Sequence, residues 1–245
     1  MDINKCERQA KKLIDMPYNQ LNLDNYIEMV CSAFPDLPNS DIQRLSEKGP
    51  ISLMSGQHDS AGLLRVPWNF PDKGRRIILI GKGLLFDAGG YDLKPEMSTM
   101  KSDMAGMATC IAASCYLSRN NVVAVCPVAT NFLHNNQIVP GDIISIGSKE
   151  VEILDADAEG RLVIAEALSN LDIKKDDIVV TVATLTGCCE YAIGDRATAI
   201  LTPNDKLARQ YYEASLKTKE LSWRLPLWDY LQPQFSKKKI PNVSR

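Results

Sequence analysis

Arg76-Ile77-Ile78-Leu79-Ile80 runs directly into Gly81-Lys82-Gly83-Leu84-Leu85-Phe86-Asp87-Ala88-Gly89-Gly90-Tyr91-Asp92-Leu93-Lys94, and this stretch decides how the chain is read. The unbroken apolar run predicts a buried strand, because a strand covered on both faces needs no polar alternation. Lys82 and Asp87 then fall just past its carboxyl end, where open α/β sheets place their ligands. The glycines at 81, 83, 89 and 90 permit backbone approaches that a Cβ would obstruct. A second acidic run, Asp155-Ala156-Asp157-Ala158-Glu159-Gly160-Arg161, again follows an apolar segment, Val151-Glu152-Ile153-Leu154. Carboxylates gathered at strand ends suit hard divalent cations, and two such ions can share a bridging carboxylate. Either run alone reads as a solvated polar loop, the ordinary place for Asp. Together they point to a metal site.

Outward from this stretch the chain alternates between helical and extended patterns. Ala10, Leu13 and Ile14 share one face of a helix that Pro17 stops. Asp24 is placed to cap a second helix with the face Ile27, Val30, Cys31 and Phe34. Ser40-Asp41-Ile42-Gln43 reads as a capping box for a short helix ending at Gly49. Asp103 to Leu117 is rich in small residues and predicts a helix packed close to the sheet, its N-terminus toward the glycine-rich loop. Val122 to Val128 predicts a buried strand. Ile143 to Ile146 and Glu150 to Ile153 predict a hairpin about Gly147-Ser148-Lys149 that delivers the second acidic run. Arg161 to Leu171 predicts a helix, and Asp177 to Leu185 a further buried strand ending at Thr186-Gly187. This order predicts an α/β fold with a mixed, largely parallel sheet and helices on both faces. No repeat, low-complexity tract or dividing linker interrupts residues 1–245, which read as one domain.

Composition excludes several classes. The chain has 245 residues, 45% of them hydrophobic and 24% charged, with a formal charge of −2. That balance gives no electrostatic case for nucleic acid or an anionic membrane, and Lys237-Lys238-Lys239 reads as a solvated run. The N-terminus carries charge where a signal peptide needs an apolar core, and no apolar run approaches a membrane span, so a cytoplasmic location is expected. Seven cysteines without a Cys-x-x-Cys pair predict reduced thiols, most of them in the core. His58 and His134 are the only histidines, and neither adjoins a nucleophile motif, which counts against serine or cysteine hydrolase chemistry.

The two motifs, Gly81 to Lys94 and Asp155 to Leu162, resemble the signatures of the leucine aminopeptidase and peptidase B family. The resemblance spans nearly the whole chain, from Leu13-Ile14-Asp15-Met16-Pro17-Tyr18-Asn19 to Trp223-Arg224-Leu225-Pro226-Leu227, as that family's catalytic domain. The family's separate N-terminal domain and its last strand and helix have no counterpart in the sequence. What the resemblance implies is a metal-dependent aminopeptidase acting on peptides through a hydroxide bridging two divalent ions, Mn²⁺ or Zn²⁺. One ion would take Lys82, Asp87, Asp103 and Glu159, the other Asp87, Asp157 and Glu159. Lys94 and Arg161 would be catalytic without ligating, Arg161 as the arginine that holds bicarbonate in the family. Met100, Thr184, Leu185 and Gly187 would contact substrate, and the chain would form a homo-oligomer, a hexamer in the family. Two departures are visible: Asp155-Ala156 stands where the family has Asn-Thr, and the segment from Lys94 to Asp103 is about two residues shorter. The alternative reading is a catalytically impaired homologue or fragment serving as a binding or structural protein, DNA included.

Overall fold

The computed structural model describes residues 1–37, 41–45, 48–67, 74–117 and 121–231, and the chain divides into two compact units, with the break after Thr184. The first unit contains, in order, α1 (Ile3–Asp15), α2 (Tyr26–Ala33), β1 (Asp41–Gln43), α3 (Pro50–Met54), β2 (Gly62–Val66), β3 (Ile77–Gly81) and β4 (Gly83–Asp87). It continues with α4 (Ala105–Tyr116), β5 (Val122–Asn131), β6 (Ile143–Ile146), β7 (Lys149–Glu152), α5 (Glu159–Ser169) and β8 (Ile178–Val182). The main sheet runs β1-β2-β5-β3-β8, with β4 also on β5. The pairs β3/β5, β4/β5 and β3/β8 are parallel, while β1/β2 and β2/β5 are antiparallel. α1 packs on α4 and α3 on α5, and both α4 and α5 lie against β3 and β5, so the sheet is covered on both faces as predicted. All ten residues of β5 are buried, as the central position requires.

The loop motif itself contains a strand that the sequence does not announce. Ile80 pairs with Val125 and Gly83 with Val128, so β4 continues the register of β3 along β5 after a break at Lys82. The break has a hydrogen-bonding cause: the Lys82 N–H donates to Val182 O at 3.0 Å and the Met107 N–H donates to Lys82 O at 2.8 Å. Lys82 therefore sits within an interrupted strand rather than past its end, whereas Asp87 does close β4.

Four other expectations need correction. Asp41 to Gln43 form β1, with Ile42 opposite Leu64, so sheet pairing overrides the local cap signal; Ser40 lies outside the described residues. The helix of this region is α3, for which Gly49 is the N-cap and Pro50 the first residue. The buried face of α2 is Tyr26, Val30 and Phe34, with Ile27 and Cys31 exposed, and Asp24 meets the His58 ring at 3.1 Å instead of capping. β8 is only partly buried, because it is the last strand in the sheet order. The cysteines are all free and four of the seven, Cys6, Cys110, Cys115 and Cys126, are buried, in line with reduced thiols mostly in the core. Among the described residues no helix is long and apolar enough to cross a membrane. Lys237 to Lys239 lie outside the described residues.

α5 is tied to α3 by Glu166, a buried carboxylate that accepts from the Ile51 N–H at 2.8 Å. Burial raises its pKa to about 7 against the weaker opposing effect of that hydrogen bond. The folded state therefore holds the proton where the unfolded chain has released it. The stabilisation is complete below the unfolded value near 4.5 and is lost as pH rises through about 7, a difference of roughly 3 kcal/mol. Glu166→Gln keeps an acceptor for Ile51 and cannot ionise, so its thermal midpoint should overtake that of the wild type between pH 5 and pH 8. Parallel midpoint curves would show that Glu166 does not titrate in this range.

The second unit, described through Leu231, holds α6 (Cys188–Ile193), β9 (Thr198–Ile200), α7 (Asp205–Thr218) and β10 (Ser222–Arg224). β9 and β10 pair in parallel with α7 as the crossover, and Asn204 caps α7 by accepting from the Leu207 N–H.

Candidate metal centre

β4 ends at Asp87, and the chain turns at once through Gly89 and Gly90, whose φ values are +89° and +59°. The turn closes when the Lys94 N–H donates to Ala88 O at 3.0 Å. This reversal carries the Lys94 ammonium back over its own strand, 2.9 Å from Asp87 Oδ2 and in contact with Asp157 Oδ1. Asp157 comes from the 3-10 turn Ala156–Ala158 that precedes α5, and Glu159 begins that helix. Asp103 lies between the 3-10 turn Met100–Ser102 and α4.

Lys82 points into the middle of this group. Its Nζ is 2.6 Å from Glu159 Oε1, 2.8 Å from Asp103 Oδ2 and 3.1 Å from Thr184 O. Its stem is enclosed by backbone: a Cβ on Gly160 would lie 2.8 Å from Lys82 Cε, and one on Gly106 would lie 2.9 Å from Lys82 N and 2.1 Å from Val182 O. Asp87, Asp103 and Glu159 are buried and each offers an oxygen within 4.8 Å of the others. All five sequence-predicted ligands thus lie in this neighbourhood, with Lys82 bridging Asp103 and Glu159, and Lys94 bridging Asp87 and Asp157.

The electrostatics are those of too few positive charges. Burial raises the pKa of Asp103 to about 6, only partly offset by Lys82, and burial likewise raises Glu159 and Asp157. Burial opposes the charge on Lys82 and Lys94, but the carboxylates outweigh it and both pKa values rise. Lys82 forms an ion pair with Asp103 through Oδ2, and Lys94 one with Asp157 through Oδ1. Among the described residues Glu159 Oε2 is buried without a hydrogen-bond partner, while Oε1 of the same carboxylate meets Lys82.

The remaining predicted residues are placed less uniformly. Thr184 Oγ1 donates to Asp103 Oδ1 at 2.7 Å, which ties it to a carboxylate. Met100 opens the 3-10 turn leading to Asp103. Arg161 is exposed on the first turn of α5 and makes no hydrogen bond or ion pair with the described residues. Leu185 and Gly187 belong to the second unit, where Leu185 is exposed and Gly187 precedes α6. Asp155 is exposed and accepts from the Asp157 N–H at 2.8 Å, so it shapes the turn that an asparagine could shape equally. Sequence reasoning passed over two residues: Asn131, buried at the end of β5, donates to Asp87 Oδ1, and Gln137 donates to Asn131 Oδ1. The available signal was a polar residue closing an otherwise apolar central strand.

Fold and site together define an α/β domain that gathers carboxylates and lysines where β4, α4 and α5 meet. The chain belongs to the cytosol aminopeptidase family, whose catalytic-domain model matches residues 8–244. Among curated relatives, the probable cytosol aminopeptidase of Nitrosospira multiformis is 35% identical over 206 residues, 81% of this chain and 40% of that protein. That of Actinobacillus succinogenes is 37% identical over 207 residues, 81% of this chain and 43% of the relative. The bottromycin maturation enzyme BotP, solved in complex with Mn, superposes with a TM-score of 0.80 at 30% identity, covering 94% of this chain and 54% of that one. Caenorhabditis elegans leucine aminopeptidase gives a TM-score of 0.82 at 26% identity, covering 92% and 49%. The chain spans about two-fifths of the length of these curated relatives.

Proposed function

We propose that the chain is a divalent-metal-dependent aminopeptidase that releases N-terminal residues from peptides. The observation that carries this reading is a cluster in which four carboxylates face two ammonium groups, with Glu159 Oε2 buried and without a hydrogen-bond donor among the described residues. A buried group of that composition calls for further cations, and its oxygen-rich donor set suits hard or borderline divalent ions. The residues fit two ions, Mn²⁺ or Zn²⁺: Lys82, Asp87, Asp103 and Glu159 would hold one, and Asp87, Asp157 and Glu159 the other. Lys82 would ligate only after losing its proton. Bound ions would supply Lewis acidity toward the peptide carbonyl and a water activated for attack.

The chain's own side chains do the rest. Lys94, anchored over Asp87 and Asp157, presents a cation where negative charge develops on the carbonyl oxygen. Arg161, exposed and without a partner among the described residues, is suited to hold an anion such as bicarbonate. Met100 and Thr184 would help shape the surface met by the substrate's first side chain, and substrate contacts by Leu185 and Gly187 rest on the family resemblance alone. Assembly as a homo-oligomer, with the hexamer as the family precedent, and a cytoplasmic setting belong to the same reading.

Hydrolysis of an aminoacyl-anilide by the purified chain tests it, after chelation and after return of Mn²⁺ or Zn²⁺, with bound metal counted in parallel. Turnover that disappears with the metal and returns with it is expected. Absence of bound divalent ion under all conditions would overturn the proposal.

A further inference from the structure

Asn131 is buried at the end of β5, and its orientation is fixed by a one-way chain of hydrogen bonds that begins in the backbone. The Ile138 N–H donates to Gln137 Oε1 at 2.9 Å, so Gln137 must turn its Nε2 the other way. That nitrogen donates to Asn131 Oδ1 at 2.8 Å and to Phe132 O at 2.9 Å. With its oxygen engaged, Asn131 directs Nδ2 to Asp87 Oδ1 at 2.8 Å and to Ala156 O at 3.2 Å. Asp87 Oδ1 also accepts from the Gly89 N–H at 2.9 Å, which leaves Oδ2 as the oxygen facing Lys94. Gly90 leaves room for this arrangement, since a Cβ there would stand 2.9 Å from Asn131 Oδ1.

Asn131 thus joins the two acidic segments through one side chain, holding Asp87 on one side and the residue before Asp157 on the other. Resting on the metal-site reading above, we propose that Asn131, locked by Gln137, is a positioning residue that sets divalent-cation affinity. It does so by fixing which Asp87 oxygen is presented and how far Asp87 stands from Asp157 and Glu159. Partners of this kind, one step behind the ligands, typically change metal affinity by about 10–100-fold when removed.

The test is calorimetric titration of the full chain with Mn²⁺, beside the thermal midpoint of the same protein after chelation. Asn131→Leu, similar in size and without a donor, should weaken Mn²⁺ binding by about 10–100-fold while the chelated protein keeps a midpoint close to wild type. Gln137→Met leaves Asn131 in place but frees its amide to flip, and should weaken binding by a smaller factor. A purely structural role would lower the midpoint and leave affinity alone, and that result would overturn the proposal. If Asn131→Leu fails to fold, Gln137→Met decides: wild-type Mn²⁺ affinity in it would also overturn the proposal. A wild-type chain that binds no Mn²⁺ would instead remove the underlying metal-site reading, which keeps the two failures apart.

Discussion

Glu159→Ala is expected to bind one divalent ion per chain at most and to lose turnover to below detection, while its circular dichroism stays that of the wild type. Glu159 is buried, its Oε1 meets Lys82, and among the described residues its Oε2 has no hydrogen-bond donor, so the carboxylate has an oxygen available to a cation. In the proposed arrangement it serves both ions, and no neighbouring side chain duplicates it. The fold should tolerate the loss. Lys82 retains Asp103 as a counter-charge, and α5 is held elsewhere by buried Leu162, Val163, Glu166 and Ala167. Asp87→Ala should behave alike, because in the proposed arrangement Asp87 is the other shared carboxylate. Elemental analysis of both variants decides the point, and two tightly bound ions in either would mean the shared ligands have been misassigned.

Lys94→Ala should lower kcat by about 10²–10³ with metal content and KM little changed, the usual cost of removing one preorganised charge from a developing oxyanion. The structure holds the ammonium over Asp87 and Asp157 through a turn that needs two left-handed glycines, so its position is built into the loop. The competing account makes Lys94 an ordinary partly exposed ion pair, worth about 0–1 kcal/mol and irrelevant to turnover. Steady-state kinetics separate the two. Wild-type kcat in an otherwise active Lys94→Ala enzyme would leave only the ion pair.

What was legible in the sequence follows from how local each signal is. The strands at 77–80 and 122–128 showed themselves as apolar runs, and the hairpin at 143–152 by its turn residues, because burial on both faces and tight turns each constrain nearby positions. The acidic clusters were legible in combination, as two carboxylate-bearing runs that each follow an apolar segment. β1 was not, since three residues of strand derive their geometry from Leu63, Leu64 and Arg65 opposite, about twenty positions away. β4 was hidden for a related reason: Gly83 and the glycines flanking the strand read as loop, and only its register against β5 shows that the loop is a strand with one residue displaced. Asn131 was missed because a single amide at the end of a strand means nothing until the fold brings Asp87 beside it.

The tight enclosure of Lys82 bears on whether such a centre can be transplanted. The charged side chains could be copied onto another α/β sheet at matching positions and still fail to converge. Gly106 lets α4 reach within contact of Lys82 N and Val182 O, and Gly160 lets the first turn of α5 rest on the lysine's own methylenes. These are relations between backbones, set by how closely two helices and an interrupted strand approach one another. A graft would therefore have to carry the glycines and the strand break along with the charged side chains, because in this protein the position of the buried ammonium is specified by what has no side chain at all.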